Sequence, residues 1–122
     1  MNKQEILEKA KSHTLKSKKL YVEDWDAEVI VRQLSARAYV DISTISLNED
    51  KITVDQSKFL NLSIIQSVFD VNGEQIFSND DLYTILNMSA DGYSDLVSIV
   101  SELNNMYGIS GDSNSKNLKK TH

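Results

Sequence analysis

Few side chains in this 122-residue sequence could carry acid–base, nucleophilic or metal chemistry, and those few are scattered. Cysteine is absent, which removes thiolate nucleophiles, disulfides, iron–sulfur clusters and Cys-based zinc sites together and fits a reducing cytosol. A hydrolase or transferase needs a nucleophile, a base and a group that orients the base, yet the two histidines are His13 and His122, and neither has such neighbours in the sequence. His13 reads as a solvated helix-end residue and His122 as a terminal one. The run Glu23, Asp24, Asp26 and Glu28 offers oxygens to a hard divalent ion, but its members alternate about the start of a strand, so a solvated turn is the simpler reading. Asp70-Val71-Asn72-Gly73-Glu74 echoes a calcium loop but places Gly fourth where an EF-hand needs it sixth. No Gly-x-Gly-x-x-Gly, Gly-Lys-Ser/Thr or Gly-x-Ser-x-Gly is present, so phosphate cradles and the hydrolase elbow have no support. An enzyme is not expected, nor a cofactor or a metal. Trp25 belongs to recognition or to the core, since Trp is enriched at binding hot spots but also packs at strand ends.

The elements that position these residues follow from periodicity. Ile6, Leu7 and Ala10 share one side at helical spacing, predicting a helix over 3–13 with a thin apolar stripe. Leu20-Tyr21-Val22 and Glu28 to Arg32 read as two strands of a hairpin around the acidic turn. Ser35 caps a helix in which Leu34, Ala38, Ile42 and Ile45 share a face; it is expected to run to about 46, although 42–54 also alternates like a hairpin around Asn48-Glu49-Asp50. Asp55 or Ser57 caps the next helix, with Phe59, Leu60, Ile64 and Ile65 as its apolar face. Asn72-Gly73 predicts a type I′ hairpin in which Phe69 lies across from Ile76 and Val68 from Phe77. Ser78 or Asn79 then caps a short helix with Leu82, Ile85 and Leu86. After Gly92, Tyr93, Leu96, Val97, Val100, Leu103 and Tyr107 recur with helical period, and Gly108 is the expected stop.

This is the order of an α+β fold: a small antiparallel sheet, with hairpins near 18–32 and 67–78, packed against about four helices, the carboxyl half being helical. The expected organisation is an N-terminal helical arm at 1–17, one globular domain at 18–109 and a disordered polar tail at 110–122.

Composition is that of an ordinary globular chain: 40% hydrophobic, 25% charged, four Gly and no Pro. Charge is uneven. Residues 1–20 carry a net +4, residues 21–95 a net −10 and residues 96–122 a net +1, for −5 overall. An acidic body repels phosphate, so Lys16, Lys18 and Lys19 alone would have to hold nucleic acid, and none is expected as a partner. The apolar runs are too short to span a membrane or to form a secretory core, so neither a membrane location nor export is expected. The sequons at Asn61 and Asn87 are therefore read as chance matches.

Several segments in order resemble the tail-assembly chaperones of long-tailed bacteriophages of Gram-positive hosts. They are a strand ending in Trp25; Glu28-Val29-Ile30-Val31-Arg32-Gln33-Leu34-Ser35, similar to an apolar-alternating strand followed by Arg, one residue, Leu and Ser; Ser67 to Ser78, similar to an Asp-x-x-Gly-x-x-x-Phe hairpin; Asp80-Asp81-Leu82 at the start of a helix pair; and Lys116-Asn117. The segment Ala38 to Leu47 departs from the family pattern in being β-branched rather than charged. The resemblance implies a non-catalytic protein of the bacterial host cytoplasm that binds the tape-measure protein, keeps its long helices soluble and assists tail tube assembly, the tail tube protein being a second partner. A homo-oligomer is compatible with it. The alternative is a small structural component of the tail or the head–tail joint. Members of the family are often made in two lengths by ribosomal frameshifting, and Lys119-Lys120 fits an A-rich slippery stretch. The partner-binding residues expected are Tyr93, Ile99 and Met106, on the helix that has apolar residues beyond its main stripe.

Overall fold

Alternating valines build the centre of the sheet. Ser17–Val22 (β1) and Ala27–Arg32 (β2) pair antiparallel, from Ser17 opposite Arg32 to Val22 opposite Ala27. Val29 and Val31 of β2 are buried on one face. The turn between them is a 3₁₀ turn, Glu23–Trp25, closed by Asp26 at φ 46°, a left-handed conformation that Asp tolerates better than most residues. Val68–Phe69 (β3) adds a third strand with Ile30 opposite Phe69, giving the order β1-β2-β3. This computed structural model describes residues 1–106.

The described residues form five α-helices, four of which contribute buried residues to the core, and side-chain caps define most of their starts. Lys3–Ser12 (α1) begins at Asn2, which forms a capping box with Glu5, and none of its residues is buried. Ala36–Ile45 (α2) begins at Ser35, whose hydroxyl accepts from the Ala38 N–H. Gln56–Ser67 (α3) begins at Asp55, whose carboxylate accepts from the Lys58 N–H. Leu82–Leu86 (α4) follows a 3₁₀ turn, Asn79–Asp81, that opens with a Ser78–Asp81 capping box. Ala90–Asn104 (α5) begins at Ser89.

The core gathers on α3. Phe59, Leu62, Ile64 and Ile65 are buried with Val29, Val31 and Val68 from the sheet, Ile42 from α2, Ile85 from α4, and Leu96, Val100 and Leu103 from α5. Because sheet and helices cover α3 from several sides, it is apolar over more than one stripe, as a central helix must be. Trp25 is half-buried against this core, its ring 5.3 Å from that of Phe77.

The turn and register of the 67–77 hairpin and the start of the last helix need correction in detail. The 67–77 hairpin does not use a two-residue type I′ turn: only Gly73 is left-handed, at φ 87°, and the loop has three residues, with the Asp70 N–H donating to the Glu74 carbonyl. The cause is Asp70, whose carboxylate accepts from the Asn72 and Glu74 N–H groups and so stabilises a turn followed by one left-handed residue. The register moves by one, Phe69 opposing Gln75 rather than Ile76, which leaves Val71 and Ile76 exposed.

In 42–54 both local signals are used in succession. Helix α2 runs to Ile45, and a Leu47–Val54 bridge then closes a loop pinned by the Asp50 carboxylate, which accepts from the Ile52 and Thr53 N–H groups.

The last helix starts at Ala90, ahead of Gly92, because the Ser89 hydroxyl accepts the Gly92 N–H at 3.0 Å. It ends at Asn104, where Asn105 turns left-handed and the Met106 N–H reaches the Ser101 carbonyl, a Schellman closure. Tyr107, the expected stop at Gly108 and the polar tail 110–122 lie outside the described residues.

Candidate interaction site

None of the side chains that could do chemistry meets a catalytic partner in the described structure. His13 caps the carboxyl end of α1, exposed, and His122 lies outside the described residues. Among the described residues no three His, Asp or Glu side chains converge as metal ligands. Two members of the acidic run, Asp24 and Asp26, are committed to structure. Asp24 accepts from the Ser89 N–H at 2.6 Å and from the Ser89 hydroxyl at 2.7 Å, and these bonds hold its carboxyl below the ordinary value of 3.8. Asp26 accepts from the Tyr21 hydroxyl, which raises the Tyr21 pKa. Asp70 is committed to its own loop.

Asp24, Ser89 and Gly92 form a joint that fastens the β1–β2 turn to the amino end of α5. Ser89 uses its hydroxyl twice, donating to Asp24 and accepting from Gly92. Gly92 is required by proximity: a Cβ there would stand 2.5 Å from Asp24 Oδ1 and 2.8 Å from Met88 Cε. The joint forms one wall of an open cleft of about 600 Å³ between β1 and α5, in which Glu23, Asp91 and Asp95 lie beside Leu20 and Tyr21. Lys18 of β1 makes a surface ion pair with Glu102 at 2.6 Å.

The three residues expected to bind a partner are each half-buried and packed against the core. Tyr93 donates its hydroxyl to Asn61 Oδ1 at 2.5 Å, and burial raises its pKa. Ile99 stands six residues further along α5, roughly 120° around the helix at ~100° per residue. Met106 lines a groove of about 200 Å³ with Tyr39, Ser43, Val54 and Phe59, where the Tyr39 and Phe59 rings meet edge to face at 5.6 Å.

On α2 and in the loop after it, the exposed apolar side chains were not singled out in the sequence, except Ile45, which was expected on the apolar face of that helix and is 45% exposed. Tyr39 and Val40 on α2, then Ile45, Leu47 and Ile52 at its end and in the following loop, are all exposed, Ile52 to 82%. The pair Tyr39-Val40 lies off the Leu34, Ala38, Ile42 stripe, and that displacement was the available signal. Tyr39 borders the groove above, and Ile45 lines a second cavity with Ala38, Asp41 and Gln66. Among the described residues no helix is long and apolar enough to cross a membrane.

No protein-family model matches the sequence, and a search of curated proteins finds no match. Among solved structures, that of the bacteriophage HK97 tail assembly chaperone is similar to this chain, with a TM-score of 0.50 and 16% identity, over 81% of this chain and 97% of that one. At this identity the likeness is one of fold.

Proposed function

We propose that this chain is a phage tail assembly chaperone, a non-catalytic protein of the bacterial host cytoplasm that binds the tape-measure protein, keeps it soluble and assists assembly of the tail tube. The observation that carries the proposal is the fold likeness to the HK97 chaperone, which takes in nearly the whole of that chain. The order of sequence segments from Trp25 to Lys116-Asn117 supports the same family by a separate route. The surface supports it too. Exposed apolar residues on α2 and in the loop that follows it suit a helical client recognised by shape and apolar contact, and the acidic body keeps such a complex dispersed. In this proposal residues 18–109 form the working domain, between an arm at 1–17 and a polar tail at 110–122. The half-buried Ile99 and Met106 contribute from the α5 side.

Co-expression with the tape-measure protein of the same genome tests this. The soluble fraction of that protein should rise, Val40→Asp with Ile52→Asp should reduce the effect while leaving the chain folded, and His13→Ala should change nothing. No gain in solubility, or a histidine variant that stays folded and loses all effect, overturns the proposal.

A further inference from the structure

The helix α1 is finished as a local structure and unfinished as a packed one. Its capping box is complete, with the Glu5 N–H donating to Asn2 Oδ1 at 2.9 Å and the Asn2 N–H to Glu5 Oε1 at 3.4 Å, and Gln4 reaches Glu8 one turn on. Yet all ten of its residues are exposed, Ile6 to 54% and Leu7 to 42%. Isolated helices shorter than ~12–15 residues are marginal in water, and their stability in proteins comes from burying an apolar face.

That face has a defined electrostatic frame. At ~100° per residue Ile6, Leu7 and Ala10 form one stripe, Lys3 falls within it, Lys9 and Lys11 flank it on either side, and Glu5 and Glu8 point to the opposite side. The surface complementary to this stripe is apolar and acidic. This chain carries such a surface: residues 21–95 have a net charge of −10 against +4 for residues 1–20. Within that body, the cleft beside β1 places Glu23, Asp91 and Asp95 around Leu20 and Tyr21, the latter 53% exposed.

The tether fixes where α1 starts from. The Gln33 N–H donates to the Lys16 carbonyl at 2.8 Å and the Lys16 N–H to Gln33 Oε1 at 3.3 Å, pinning the chain at the start of β1. His13 leaves α1 in extended conformation. The arm therefore extends from a fixed point, and in the single chain it buries none of its residues.

We infer that α1 is an exchange arm that docks its Ile6–Leu7 stripe on the acidic β1–α5 cleft of a second copy of this chain, with Lys9 and Lys11 facing that copy's carboxylates. This is independent of the chaperone assignment.

Sedimentation equilibrium of the full chain tests it, with circular dichroism to check folding. The wild type should sediment at a multiple of 13.8 kDa. Ile6→Asp with Leu7→Asp should fall to the monomer mass with the core fold intact, since α1 contributes no buried residue. Lys9→Glu with Lys11→Glu, and separately Glu23→Lys with Asp95→Lys, should each be monomeric alone. Mixed, these two charge-reversed chains should associate again, because each arm then meets a cleft of opposite sign. A wild type that stays at the monomer mass at all concentrations, an assembly unmoved by the Ile6/Leu7 variant, or a mixture that remains monomeric overturns the inference.

Discussion

Replacing a helical glycine by alanine ordinarily stabilises a protein, and at Gly92 the structure predicts the opposite sign. A helix-interior Gly→Ala exchange gains up to ~1 kcal/mol from backbone entropy. At Gly92 the new methyl would lie 2.5 Å from Asp24 Oδ1, 2.8 Å from Met88 Cε and 3.2 Å from Ser89 Oγ. The methionine methyl moves aside at small cost, but the Asp24 carboxylate is held by two bonds to Ser89. Overpacking costs ~1–3 kcal/mol; a cost of ~2 less a gain of ~1 leaves a net loss of ~1 kcal/mol. For a chain of this size that is roughly 3–5 °C in Tm. In an Asp24→Ala background the obstruction is gone, so the same Gly92→Ala exchange should be neutral or stabilising, a coupling of ~1–2 kcal/mol between the two sites. Urea denaturation followed by circular dichroism on the four chains of this cycle measures it. Gly92→Ala raising the midpoint in the wild-type background, or acting equally in both, would refute the joint as described.

Three further outcomes follow from the same geometry. Gly73→Val forces a β-branched residue to φ 87° and should cost about 1–3 kcal/mol, so an unchanged denaturation midpoint would contradict the hairpin loop. Tyr93→Phe removes the donor to Asn61, which is only 6% exposed, and should cost ~1–2 kcal/mol by the same measurement; a neutral result would mean that the bond contributes nothing. Asp24 and Asp50 both have folded-state pKa values lowered by hydrogen bonds, to Ser89 in one case and to Ile52 and Thr53 in the other. Their stabilisation is present in full above the ordinary value of 3.8 and is lost as pH falls through the lowered values, so the wild type should lose stability in that acid window more steeply than Asp24→Asn with Asp50→Asn. Equal slopes would count against both clusters.

What the sequence made legible was what side chains dictate locally. Ser35, Asp55 and Ser78 announce helices because a short polar side chain before an apolar period satisfies the free N–H groups of a first turn. The apolar run Val29-Ile30-Val31 between Glu28 and Arg32 announced a strand, and it forms the centre of β2. Misplaced details arose where two local rules competed. Asn72-Gly73 fits a two-residue turn, but Asp70 offers its carboxylate to the same loop and wins. Gly92 looked like a break before a helix, whereas Ser89 caps that helix and Gly92 sits inside it to admit Asp24, a partner 68 positions away that no local pattern contains. The binding surface was the least legible part. Which apolar residues of α2 and α5 reach solvent depends on how α3 is enclosed, and that is settled only by the assembled fold.

The proposed function makes this chain an assembly chaperone, and the alternative makes it a structural component of the tail. Affinity purification of the tagged full chain from cells in which the tail is being assembled, with quantitative mass spectrometry of both the eluate and the finished tails, separates the two. The tape-measure protein is expected in the eluate and this chain is expected to be absent from finished tails; an eluate without the tape-measure protein, or stoichiometric incorporation of this chain into the tails, overturns the proposal.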